Sequence, residues 1–335
     1  MRLLLRPSLL REEVLANKDA VVVLDEIQKV PALLDEVHWC LENTQTSFLL
    51  CGSSARKLRH GAANLLGGRA WRYELFPLTT NEIGEYDIER IVNHGLLPQH
   101  YREDRPERSL RGYVMDYLEQ EIQAEALTRN VPAFARFLEA VSTSHGQLIN
   151  YATIARDCGV SAKTVREYYQ ILEDTLLGHS LPPWRKRKKR RLLETAKFYL
   201  FDPGVVRALS GMRRIHTQTE EFGRAFEHFL VEEVRAYLNY TEQYLPLSFW
   251  RTSTGLEVDL IVGDLDLAIE CKATSHADER HITGLRALQE DQPVKQAFIV
   301  SLDATPRQLT PHILVYPWQL FCQKLWAGDF LPSPQ

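Results

Sequence analysis

Long apolar runs and a cysteine framework are both missing from this 335-residue chain. A typical apolar run, Ala20 to Leu24, falls far short of the roughly 20 residues that a membrane-crossing helix needs. The five cysteines, at positions 40, 51, 158, 271 and 322, are odd in number and scattered, which gives neither a disulfide pattern nor a zinc spacing. Pro7 interrupts the N-terminal leucines and no small-residue cleavage site follows, so no signal peptide is expected. Repeats and low-complexity tracts are lacking too. The expectation is a protein of the reducing cytoplasm with no membrane partner. A net charge of −4 excludes a general polycation. Within it, however, stand seven consecutive cations, Arg185, Lys186, Arg187, Lys188, Lys189, Arg190 and Arg191. Such a block repels itself and is relieved by a polyanion.

What is present is ordinary globular composition, 44% hydrophobic and 25% charged, in a chain long enough for two or three domains. Pattern divides it into three. Residues 1–80 alternate short β-like runs with helical segments, as an α/β unit does. Residues 81–215 are mostly helical with two strand-like stretches near the end. Residues 216–335 read as a helix, several strands, a helix and two more strands.

In the first region, Val21-Val22-Val23-Leu24 ends in Asp25-Glu26, the form of a Walker B strand. The strand fixes both acids at its C-terminal edge, where ligands collect in parallel α/β sheets. The first acid suits Mg²⁺ and the second suits polarising a water. A second strand, Ser47 to Cys51, leads to Gly52-Ser53-Ser54, and Gly67-Gly68-Arg69 precedes a third expected strand, Arg72 to Leu75.

The stretches LDEIQKVPALLDEVH, FLLCGSSARKL and GRAWRYELFPLT resemble a prokaryotic family of AAA+-type ATPases whose C-terminal half is a domain of unknown function. The resemblance continues through YLEQEI, GQLINYATIARDCGVSAKTVREYYQILEDT and FGRAFEHF, and so covers nearly the whole chain. It implies ATP binding and hydrolysis, with Asp25, Ser53 and Arg69 as cofactor contacts and Glu26 as the catalytic acid. The family also carries a Gly-rich loop ending in Gly-Lys-Thr or Gly-Lys-Ser, whose backbone N–H groups cradle the phosphates. Here the 20 residues before Val21 contain no glycine. By analogy with the fold, the strand of that loop lies between the sensor strand and the third strand. The expectation is a partial P-loop sheet that does not hydrolyse ATP.

In the middle region, Ile149 to Val165 reads as helix, tight turn, helix. Gly159 takes the turn and Ser161 is a natural N-cap. Val165, Tyr168, Tyr169 and Leu172 continue at helical spacing as core, which leaves Ser161, Lys163, Thr164 and Arg166 as groove-facing candidates. Leu176 to Leu181 and Lys197 to Phe201 then look like the two strands of a wing, with the cationic block at its tip. A winged helix has two readings here, a nucleic-acid reader contacting phosphates through Arg185, Lys186, Arg187, Lys188, Lys189 and Arg190, or a docking module for a protein partner or a second copy.

In the last region, the strand at 257–262 places Glu257 and Asp259 on one face, and the strand at 267–272 places Glu270 and Lys272 likewise. Asp259, ten intervening residues and Glu270-Cys271-Lys272 resemble the core signature of restriction-endonuclease-like domains. That resemblance implies Mg²⁺ held by Glu227, Asp259 and Glu270, with Lys272 orienting the attacking water. Cys271 is expected to pack on the opposite face, and His276 and His281 to face solvent. Two functions remain open: a nucleic-acid-binding AAA+-type relic, or a Mg²⁺-dependent nuclease targeted by the winged helix.

Overall fold

The structure is a computed structural model that describes residues 2–17, 20–52, 69–84, 86–118, 130–186 and 195–331. They form two compact units, residues 1–73 with 170–177, and residues 74–169 with 178–335.

In the first unit, helices α1 (Leu9–Ala16) and α2 (Leu33–Asn43) accompany strands β1 (Val22–Leu24) and β2 (Phe48–Leu50). Helix α2 buries Leu33, Leu34, Val37 and Cys40, one stripe at three- and four-residue spacing. Asp35 and Glu36 in its first turn complement the helix dipole. The two strands pair in parallel, with Val22 opposite Phe48 and Leu24 opposite Leu50. Leu10, Val14, Leu24 and Ile27 join the α2 stripe in a small core, while Val21, Val23 and Leu49 stay exposed. Residues 72–75, expected as a third strand, form no ladder among the described residues, and Tyr73 and Leu75 are exposed. A strand exists only by pairing, and the described sheet here stops at β1 and β2. Ser53 lies outside the described residues, as do Gly67 and Gly68.

The second unit opens with short helices and continues into α3 (Val131–Thr143), α4 (Tyr151–Cys158) and the part of α5 (Ala162–Asp174) before Gln170. Their starts are written in side chains. Asn130 accepts a hydrogen bond from the Ala133 N–H, Asn150 from Thr153, and the Ser161 hydroxyl from Thr164 at 3.1 Å. Helix α4 stops because Gly159 turns left-handed, at φ 67°. Strands β3 (Gly178–Leu181) and β4 (Lys197–Leu200) pair antiparallel, with Leu181 opposite Lys197. Phe134 and Phe137 of α3, Tyr168 and Tyr169 of α5 and Phe198 of β4 interlock, ring centroids 4.7–5.5 Å apart. Helix α6 (Pro203–Leu209) follows under an Asp202 cap.

Helix α7 (Glu220–Tyr240) then leads into a six-stranded sheet. Its strands are β5 (Leu247–Arg251), β6 (Glu257–Val262), β7 (Leu267–Lys272), β8 (Gln296–Ser301), β9 (Arg307–Thr310) and β10 (Ile313–Pro317), in the order β5-β6-β7-β8-β10-β9. The first three form an antiparallel meander; β7, β8 and β10 run parallel, and β9 is an antiparallel edge. Helix α8 (Thr283–Asp291) makes the crossover from β7 to β8, the connection a parallel pair needs. One face packs on α7 and on α9 (Trp318–Trp326) through Phe226, Phe229, Leu260, Ile269, Phe298 and Phe321. The other packs Val258, Ile261, Ala268 and Ile299 against Leu285 and Leu288 of α8. Burial on both faces explains why these strands read as continuous apolar runs. Among the described residues, no helix is long and apolar enough to cross a membrane.

Candidate functional site

Charge collects at one place in the second unit, where β6, β7, α7 and β4 meet. Helix α7 buries Phe226, Phe229 and Leu230 on the sheet, and Glu227 is carried into the same interior. Its Oε1 accepts two hydrogen bonds from one strand, from Lys197 Nζ at 2.9 Å and from the Tyr199 hydroxyl at 2.6 Å. Lys197 Nζ also lies 2.6 Å from Glu257 Oε1, and Glu257 is met from its other side by Arg251 at 3.0 Å. Asp259 is buried, and its Oδ2 accepts the Cys271 N–H at 2.8 Å. Glu270 is 6% exposed and pairs through Oε1 with Lys272 at 2.6 Å, while its buried Oε2 has no hydrogen-bond partner.

The protonation pattern follows from this crowding. Burial, then the Asp259 charge, pushes the Glu270 carboxyl well above the usual carboxylate range, against the pull of Lys272. Glu227 is raised for the same two reasons, less the effect of Lys197 and Tyr199. Burial alone would lower both lysines. The charges of Glu227, Asp259 and Glu257 outweigh it at Lys197, and those of Asp259 and Glu270 outweigh it at Lys272, so both are held above the ordinary value.

Of the residues expected to hold metal, Asp259 and Glu270 stand on neighbouring strands, and Glu227 is already engaged by Lys197 and Tyr199. As the side chains stand, no group of three or more His, Cys, Asp or Glu among the described residues is arranged to hold a metal ion. The buried Glu270 Oε2 is left without a hydrogen-bond partner. Glu270 Oε2 is thus an open acceptor beside Asp259, and Glu227 does not join them in this arrangement.

Lys197 and Tyr199 escaped the reading of the sequence as site residues. The signal for Lys197 was a lone cation opening the run Lys-Phe-Tyr-Leu, all four of which are buried. A second buried group was also missed. His145 and His228 lie 4.2 Å apart between ring centroids, and His179 stacks on Tyr199 at 5.8 Å, 3.2 Å from Glu232 Oε1. Cys271 is buried with Ile269 and Leu267 on the α7 face, as expected of a packing residue. His276 is exposed; His281 is half-buried and accepts the Asp278 N–H at 3.0 Å.

At the helix–turn–helix, Lys163 is exposed, 4.0 Å from Glu167. Thr164 shares a 2.9 Å hydrogen bond with Ser161, and the Arg166 guanidinium lies 4.5 Å over the Tyr151 ring. Arg185 is half-buried and Lys186 exposed, whereas Arg187, Lys188, Lys189 and Arg190 lie outside the described residues. In the first unit, Asp25 follows β1 and its Oδ1 accepts the Glu26 N–H at 3.0 Å. Glu26 adopts a left-handed φ of 51° and pairs with Lys29 at 3.1 Å; Arg69 pairs with Glu42 at 3.5 Å.

Residues 2–84 match the model of an AAA domain, which fits the parallel β1–β2 pair and relates the chain to AAA-type ATPases. Residues 85–215 and 222–321 match two domains of unknown function, DUF8612 and DUF4143. Uncharacterized proteins of Mycobacterium bovis and Mycobacterium tuberculosis are each 28% identical over 255 residues, covering 74% of this chain and 57% of theirs. An uncharacterized protein of Haemophilus influenzae is 24% identical over 226 residues, 62% of this chain and 56% of its own. The chain thus spans under two thirds of the length of these curated relatives. No solved structure matches it.

Proposed function

We propose that this AAA-related chain is a nucleic-acid-binding protein that works through a winged helix. The observation that carries this reading is the capped, exposed first turn of α5 followed by a hairpin whose connection holds the cationic run. In helix–turn–helix readers the second helix enters the groove by its N-terminal turn, where Lys163, Thr164 and Arg166 stand here. Cations 185–190 then meet phosphates, giving affinity with little sequence information. Fluorescence anisotropy with a labelled duplex tests the reading. Lys163→Ala with Arg166→Ala weakens binding by about tenfold or more; undiminished binding overturns it.

ATP hydrolysis is not expected of the residues present. The carboxylates Asp25 and Glu26 stand at a strand end without a glycine-rich cradle before them, and Arg69 is engaged by Glu42. No nucleotide step is assigned to these 335 residues.

A second reading is favoured by Glu270 Oε2, the buried acceptor left open beside Lys272. On it, the C-terminal site supports Mg²⁺-dependent cleavage of a phosphodiester. Asp259 and Glu270 would hold the ion, and Lys272 would orient the attacking water. The ion, when bound, supplies Lewis-acid polarisation of the phosphate. Plasmid and single-stranded DNA cleavage with Mg²⁺ or Mn²⁺, lost in Asp259→Ala and in Lys272→Ala, is the expected result; cleavage that survives both substitutions excludes the site.

A further inference from the structure

We propose that Lys197 is the resident cation of the acid site and competes with a divalent metal ion for Glu227 and Glu257. The inference rests on reading that site as a cation site. Lys197 is 4% exposed and sits on β4, whereas the acids it meets come from α7 and β6. Its ammonium lies 2.9 Å from Glu227 and 2.6 Å from Glu257, inside the space a cation bridging those carboxylates would need. Tyr199, two residues along the same strand face, donates to the same Glu227 oxygen at 2.6 Å. Both acceptor positions of Glu227 Oε1 are thereby taken by one strand. On the other side, Glu270 Oε2 is buried and open. The acids thus divide into a set engaged by β4 and an acceptor still waiting, and withdrawal of Lys197 would free Glu227 Oε1 to join Asp259 and Glu270 around a metal. A lysine opening an otherwise aromatic and aliphatic strand is explained by this role, since a buried ammonium needs carboxylates around it.

The test uses the full chain with Mn²⁺ as probe, followed by calorimetry or by loss of the free-ion electron paramagnetic resonance signal. Lys197→Met binds Mn²⁺ about tenfold or more tighter than the parent, and adding Glu227→Gln reverses the gain. Lys197→Arg, which keeps the charge, stays near the parent. Equal affinity in the parent and Lys197→Met overturns the competition while leaving the cation site standing. No binding in either overturns the cation site and the inference with it. Should Lys197→Met not fold, the parent gives the answer: saturating Mn²⁺ increases acylation of Lys197 by acetic anhydride, read by mass spectrometry. Unchanged labelling with Mn²⁺ bound overturns the proposal.

Discussion

At the residue scale, the interior of the second unit is set by groups that hold one another in place. Tyr199 joins two of them, its hydroxyl on Glu227 and its ring against His145 and His179. Tyr199→Phe removes one donor from a buried carboxylate and costs about 1–3 kcal/mol in urea unfolding, since an acceptor left without its donor keeps its desolvation penalty. His228 gives a pH signature. Its Nε2–H donates to the Leu200 carbonyl at 2.6 Å, and burial pushes its pKa down to about 3. The unfolded chain takes up this proton near pH 6.5, which the native fold refuses. Stability is therefore lost as pH falls below about 6.5, at about 1.4 kcal/mol per pH unit for this group. Glu232 runs the other way. Burial raises it to about 7, so its contribution is full below its unfolded value and disappears as pH rises through 7. The parent–variant difference isolates the histidine. His228→Gln keeps a donor toward Leu200 and gives a stability profile shallower by about one proton between pH 5 and 6.5; an unchanged slope means His228 is protonated in the fold. None of this was legible in the sequence, because His145, His179 and His228 come together only when separate elements pack.

At the element scale, local chemistry was easy to read and long-range pairing was not. The start of α5 was legible from Ser161, and the end of α4 from Gly159, because a cap and a left-handed turn are local demands. Ser161→Ala removes the cap and costs about 1 kcal/mol, measurable as a lowered urea midpoint with an unchanged m-value. The strands at 257–262 and 267–272 were legible as apolar runs with acids at one end, Glu257 and Asp259 opening the first and Glu270 near the close of the second. The strand expected at Arg72 to Leu75 has suitable residues yet forms no ladder among the described residues, and propensity does not supply one. Edge strand β9 carries little apolar signal, with no residue of Arg307–Thr310 fully buried. Gly284 was likewise silent in the sequence: a Cβ there would overlap the Glu257 carbonyl oxygen. Gly284→Ala is expected to push α8 from the start of β6 and lower the melting temperature by several degrees, about 1–3 kcal/mol of overpacking.

At the scale of the whole molecule, an AAA-type domain match and a carboxylate pair at a strand end are not enough for catalysis of ATP hydrolysis. These 335 residues are expected to show no turnover above background in a phosphate-release assay, and turnover abolished by Glu26→Gln would contradict that. The central claim is nucleic-acid binding, and its most direct test is salt. Phosphate contacts release counterions, so log Kobs falls linearly with log salt, by about 0.9 for each duplex phosphate contacted. Binding of a labelled duplex followed from low to moderate NaCl is predicted to give a steep negative slope. That slope flattens when residues 185–191 are replaced by serine, and lessens by about 1 in Lys163→Ala. A flat dependence in the parent, or no binding even at low salt, would contradict the account and make the helix–turn–helix a docking module for protein.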